Sequence, residues 1–173
     1  MKFDIPFKSE IYLNQTQLII PMIYRHYFKD ARESLIVGLI STSLGISIII
    51  GKSYLGIVFI ALGTWFIIKS YPKFKLYNTL KKTHLKLTKE KLSESESDFG
   101  NGIFEFTENS LKYIDKLQTR DIEWTEFKDF KIVESNLLLI LDQEKGDIMA
   151  IGENEIGIEN FVKIIDFVKT KLK

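Results

Sequence analysis

The stretch that decides the fold is Leu35–Ile68, LIVGLISTSLGISIIIGKSYLGIVFIALGTWFII, in which Lys52 is the only charged residue. As one helix, at about 1.5 Å per residue, it would run to about 50 Å, well beyond the roughly 30 Å of a bilayer's hydrocarbon core. A turn at Gly51-Lys52-Ser53 resolves the excess. It leaves two runs, residues 35–51 and 53–68, each close to the shortest length that spans such a core, about 17 residues. The first run holds ten Leu, Ile or Val and the second nine Leu, Ile, Val or Phe. Each run thereby gains about 3 to 6 kcal/mol on insertion, before its small and hydroxyl residues subtract some. A helix of a soluble core keeps one polar face, and neither run has a charged one. The reading is a transmembrane helical hairpin. A cleaved leader fits poorly, because 34 residues precede the first run and a second run follows at once.

Basic residues flank the hairpin on one side. Arg25, Lys29 and Arg32 stand before it and Lys69, Lys73 and Lys75 after it, while the turn has Lys52 alone. Under the positive-inside rule the chain is a multi-pass protein of the cell inner (plasma) membrane with both termini cytoplasmic. Within the hairpin, Gly38, Ser41 and Gly45 share a face of the first helix and Gly56 and Gly63 lie seven apart on the second, a seam of small residues where backbones can approach.

Residues 1–34 read as an N-terminal strand and a juxtamembrane helix. Ile5, Phe7, Ser9, Ile11 and Leu13 alternate as a strand would, and Asn14 is placed to cap a helix running toward the membrane. Pro21 either kinks that helix or marks its start. Residues 69–98 form a basic connector and linker. Between 69 and 91, eight lysines face Glu90 alone, a local charge of +7, and Leu76, Leu80 and Leu87 suggest one apolar face. Ser93–Asp98, SESESD, reads as a solvated linker.

From Ile103 the period changes to two. Residues 103–106, 111–114, 121–124, 127–133, 137–141 and 147–151 are strand candidates, separated by turn signals such as Ser135-Asn136 and Lys145-Gly146-Asp147. The chain closes on a helix in which Phe161, Ile164, Ile165, Val168 and Leu172 fall on one face. Residues 99–173 are thus a sheet-plus-helix domain. The fold class is α+β: a two-helix transmembrane hairpin, then a bent antiparallel β-sheet domain capped by a C-terminal helix.

The segments FEFTENSLKYI (104–114) and DIEWTEFKDFKIVESNLLLIL (121–141), followed by a turn, MAI (149–151) and the amphipathic last helix, resemble the YcxB-like family of bacterial membrane proteins. Trp124, Phe127 and Ile132-Val133-Glu134 carry the most specific part of the likeness, which covers residues 103–172 and extends to the hairpin upstream. The resemblance implies a pleckstrin-homology-like fold whose sheet is capped by the final helix, and it brings no catalytic residues. Gly152-Glu153-Asn154-Glu155 departs from the family pattern.

Chemistry-bearing patterns are sparse. The net charge of +1 argues against nucleic acid as a partner, and with no cysteine the chain has neither disulfides nor thiolate metal sites. His26 and His84 lack metal-ligand spacing, and no phosphate-binding or nucleophile-elbow motif occurs. Trp124, in phase with Ile122, reads as core. No catalytic, cofactor or metal residues are assigned and no enzyme is expected. Candidate contacts to anionic lipid or an acidic partner are Lys73, Lys75, Lys81, Lys82 and Lys86 on the connector and Lys112, Lys116 and Arg120 near the second hairpin. The expected function is a membrane-anchored, non-enzymatic binding or regulatory module. Its partners would be membrane lipids and a protein, or a second copy held through the hairpin. A sensor of anionic inner-leaflet lipid and a toxin-protective membrane protein of the immunity type are the alternatives.

Overall fold

The computed structural model describes every residue except 96–99, 117, 144 and 173, with residues 94 and 95 described by backbone alone. The chain divides into two compact units, Tyr24–Thr83 and a second made of Met1–Ile23 with His84–Lys173. The elements run β1 (Lys2–Ile5), α1 (Ser9–Ile23), α2 (Arg25–Ile50), α3 (Leu55–Ser95), β2 (Gly102–Phe106), β3 (Ser110–Ile114), β4 (Thr119–Glu123), a 3-10 turn (Trp124–Glu126), β5 (Asp129–Val133), β6 (Asn136–Asp142), β7 (Asp147–Gly152), α4 (Glu153–Ile156) and α5 (Ile158–Lys171). The class is α+β.

In the first unit, α2 and the membrane-length part of α3 pack as an antiparallel pair. The seam forms where small residues permit it. A Cβ added at Gly38 would stand 2.8 Å from the Gly63 carbonyl oxygen, and one at Gly45 would stand 2.6 Å from that of Gly56. Thr42 also lies at this seam, since a Cβ on Gly63 would collide with its hydroxyl, which donates to the Gly38 carbonyl at 2.9 Å. The turn closes where expected, with Gly51 as the C-cap of α2. Ser53 N–H donates to the Ile48 carbonyl and Lys52 N–H to that of Ile49, the two bonds of a Schellman cap. Lys52, not Gly51, takes the left-handed conformation, at φ 64°. Beyond the apolar block α3 continues without interruption to Ser95, so the connector is the same helix prolonged. Residues 93–95 of the expected linker belong to that helix; 96–98 lie outside the described residues.

Among the described residues the second unit holds seven strands in two antiparallel sheets, ordered β1-β2-β3-β4 and β5-β6-β7, rather than one bent sheet. β1 pairs with β2, so the whole hairpin is inserted between two neighbouring strands. The strand expected over residues 5–13 stops at Ile5, because Pro6 has no N–H to give a ladder. Ser9 then opens α1, and Asn14 lies inside that helix instead of capping it. Helical spacing overrides the alternation: Gln15 and Ile20 are buried. Pro21 marks the end of α1 rather than its start, two residues before Ile23.

Inner-face residues of both sheets, among them Phe104, Leu111, Leu137 and Ile151, form the core with Phe161, Ile164 and Val168 of α5. Trp124 is buried there in the 3-10 turn following β4, stacked on Phe106, and its Nε1 donates to the Thr107 carbonyl at 3.0 Å. β6 is apolar on both faces for a reason. Leu138 and Ile140 point away from this core yet are buried, and α1 packs on β7 with Ile20 fully buried and Met22 accepting a 2.7 Å bond from Gln143 Nε2. The buried polar side chains here are satisfied: Gln15 donates to Glu155 at 2.7 Å, a carboxylate that also accepts the Gly152 N–H, and Asn136 donates to the Glu134 carbonyl at 2.8 Å. The β5–β6 turn falls on Glu134-Ser135, both at positive φ, one residue earlier than the sequence signal placed it.

Candidate functional site

The structure sorts the candidate cations into three groups. On the four-stranded sheet, Lys112 and Arg120 do not share a rim. The register pairs Lys112 with Asp121 and Tyr113 with Arg120, so the two cations point to opposite faces. Lys112 belongs to a cross-strand row, Lys2–Glu105–Lys112–Asp121, whose charges alternate in sign, and its ammonium lies 3.8 Å from Asp121. Arg120 reaches from β4 to β7 and grips Asp147 with two parallel bonds of 2.9 Å. This bidentate carboxylate holds the guanidinium pKa above its ordinary value, and it ties one sheet to the other. Lys116 lies in the β3–β4 turn with its methylenes against Gly100. Nearby, burial and then the Asp115 carboxylate push the Tyr113 hydroxyl well above the usual phenol range. Of these three residues, Arg120 is the one committed to the fold, by its grip on Asp147.

A second group is neutralised on helices. Lys73 pairs with Asp30 at 3.6 Å, across α3 and α2. Lys86 pairs with Glu90 at 3.6 Å and Lys29 with Glu33 at 3.9 Å, each one turn apart. Among the described residues the third group, Lys75, Lys81 and Lys82, meets no carboxylate within ion-pair reach, and neither do Arg25 and Arg32. Lys75, Lys82, Arg25 and Arg32 are exposed, while Lys81 is half-buried.

Helix packing explains who is exposed. Leu76, Leu80 and Leu87 lie on one continuous helix, but theirs is not its sheltered side, since Leu76 is 42% and Leu87 53% exposed. The sheltered side of α3 is carried instead by Phe74 and Tyr77, whose rings meet Phe28 of α2 at 5.6 and 5.3 Å. With Asp30 opposite Lys73, these contacts fix the register at the base of the hairpin. Lys75 and Lys82, seven apart, and Arg25 and Arg32, seven apart, are then exposed beyond the apolar block, Arg32 and Lys75 nearer to it than the other two. Arg25 and Arg32 served only to orient the hairpin in the sequence reading. Their spacing relative to Asp30 and Glu33 was the available signal.

The apolar block itself is bare. The most hydrophobic windows of α2 and α3, both long and apolar enough to cross a membrane, are only 11% and 17% buried, where the core helix of a soluble protein would be mostly buried. Exposed Ile40, Leu44, Ile57 and Val58 typify this surface, and Trp65 and Tyr71 stand exposed near its lysine-rich end with the Lys69 ammonium 4.7 Å over the Trp65 ring. Among the described residues no group of three His, Asp or Glu is placed to hold a metal ion. Such an arrangement can bind through charge and apolar contact. Compared with family models, curated proteins and solved structures, the chain matches none.

Proposed function

We propose that the chain is a membrane-anchored, non-enzymatic binding or regulatory module, with α2 and α3 spanning the bilayer and the seven-stranded unit presented at its cytoplasmic side. The observation that carries this is the apolar surface of α2 and the first half of α3, bare on nearly every side. Left in water, that surface would aggregate; in lipid it is matched, and both helices satisfy their own backbone bonds. The excess of Lys and Arg at the end away from Lys52 supports cytoplasmic termini and an inner-membrane location. Four strands plus three, closed by a C-terminal helix, support the pleckstrin-homology-like reading and the likeness to YcxB-like bacterial membrane proteins. A fold of that type commonly offers a docking surface, an analogy at the level of fold. The partner is another membrane protein or a second copy of the chain. Cross-linking in intact membranes followed by purification in mild detergent tests this. A reproducible partner or a dimer supports the reading; a monomer with no partner contradicts it.

A further inference from the structure

We infer that Arg32 and Lys75 form an anionic-lipid contact at the base of the hairpin, where they clasp the phosphate-bearing headgroups of the leaflet on the lysine-rich side. The inference deepens the proposed function and rests on its membrane reading. Three observations carry it. First, the ion pairs leave these two cations uncommitted: Lys73 is held by Asp30 and Lys29 by Glu33, whereas Arg32 and Lys75 meet no carboxylate among the described residues. Second, both are exposed, and Lys75 is flanked by exposed Tyr71 and Leu76, apolar partners suited to the interfacial layer.

Third, axial position separates them from Arg25 and Lys82, while Lys69, nearer still to the apolar block, has its ammonium over the Trp65 ring. From the ends of the apolar block at Leu35 and Ile68, the helix rise puts Arg32 about 4.5 Å and Lys75 about 10 Å out, but Arg25 about 15 Å and Lys82 about 21 Å out. Side chains lean toward a helix N-terminus, which for α3 is the membrane end, so the Lys75 ammonium returns to headgroup level. With a screening length of about 8 Å in physiological salt, the inner pair feels the leaflet and the outer pair scarcely does. The sheet unit is a poor rival for this role, since residues 99–173 carry fifteen Asp and Glu against ten Lys and Arg.

The experiment compares two double variants of the full chain that lose the same charge, R32Q/K75Q and R25Q/K82Q. Each is purified in mild detergent and titrated with phosphatidylglycerol or phosphatidylcholine, and retained lipid is counted by native mass spectrometry. The parent should prefer phosphatidylglycerol. R32Q/K75Q should lose that preference by on the order of tenfold or more, and R25Q/K82Q by less than about threefold. Equal losses in the two variants, or no preference in the parent, overturn the inference. Displacement of the lipid by millimolar inorganic phosphate would make the ligand a free anion and also overturn it. Failure of the membrane reading is told apart by sedimentation: all three chains would then stay in the supernatant without detergent, whatever their lipid selectivity.

Discussion

Because β1 and α1 precede the hairpin and complete the unit that follows it, residues 84–173 should not fold alone. Deleting residues 1–23 removes two buried isoleucines, Ile5 and Ile20, each worth about 1.5 to 3 kcal/mol. It also uncovers Leu138 and Ile140, both buried on the face of β6 away from the core, with a further loss of similar size. The sum, roughly 6 to 12 kcal/mol, matches the whole stability of an ordinary domain, about 5 to 15 kcal/mol. A chain that joins residues 1–23 to 84–173 through a flexible linker keeps every one of these contacts and drops the hairpin. Trp65 leaves with the hairpin, so Trp124, buried in the core, is the sole tryptophan reporting on the fold. In urea, the joined chain should show blue-shifted emission and one cooperative transition. Residues 84–173 alone should show red-shifted emission with no transition. A cooperative transition at the same midpoint in the truncated chain would refute the argument.

Gly63→Val should separate the two hairpin helices, because even a Cβ would stand 2.6 Å from the Gly38 carbonyl; a loss of about 1 to 3 kcal/mol is expected, read as a lowered melting temperature in detergent. A double-mutant cycle on Arg120→Gln and Asp147→Asn should return a coupling of about 1 kcal/mol, since the pair is bidentate but each side chain is about one-third exposed. The Lys171 hydrogen bond and charge hold the Glu108 carboxyl below its ordinary 4.5. The stabilisation is therefore complete above that value and lost as pH falls through the lower folded one. Glu108→Gln should be less stable than the parent at pH 7, and the gap should close in acid when both are followed by urea unfolding.

The segment Leu35–Ile68 announced its helices because an uncharged run of that length has few other uses, and the short alternating runs from Ile103 to Ile151 announced strands for the same kind of reason. What the sequence concealed was nonlocal. Nothing in Lys2–Ile5 says that its partner is Gly102–Phe106, nearly a hundred residues on, and the alternation through Leu13 disguised a helix that Pro6 and the burial of Gln15 and Ile20 reveal. That LLLIL is buried on both faces shows only once α1 is seen to pack on β7. The site was legible as composition and not as geometry. Counting lysines treated Lys73 and Lys75 alike, but one faces Asp30 across the hairpin and the other faces outward. Likewise Lys112 and Arg120, close in sequence terms, are sent to opposite sides of a sheet by register alone.

The hairpin's passage through lipid is tested most directly by thiol accessibility, since the chain has no cysteine of its own. Lys52→Cys places a thiol at the turn, and Lys163→Cys places one on the exposed side of α5. Applied to intact cells, a membrane-impermeant maleimide should label the first and leave the second unlabelled until the membrane is opened. Equal labelling of both before lysis, or a full chain recovered monodisperse in the supernatant without detergent, would contradict the account.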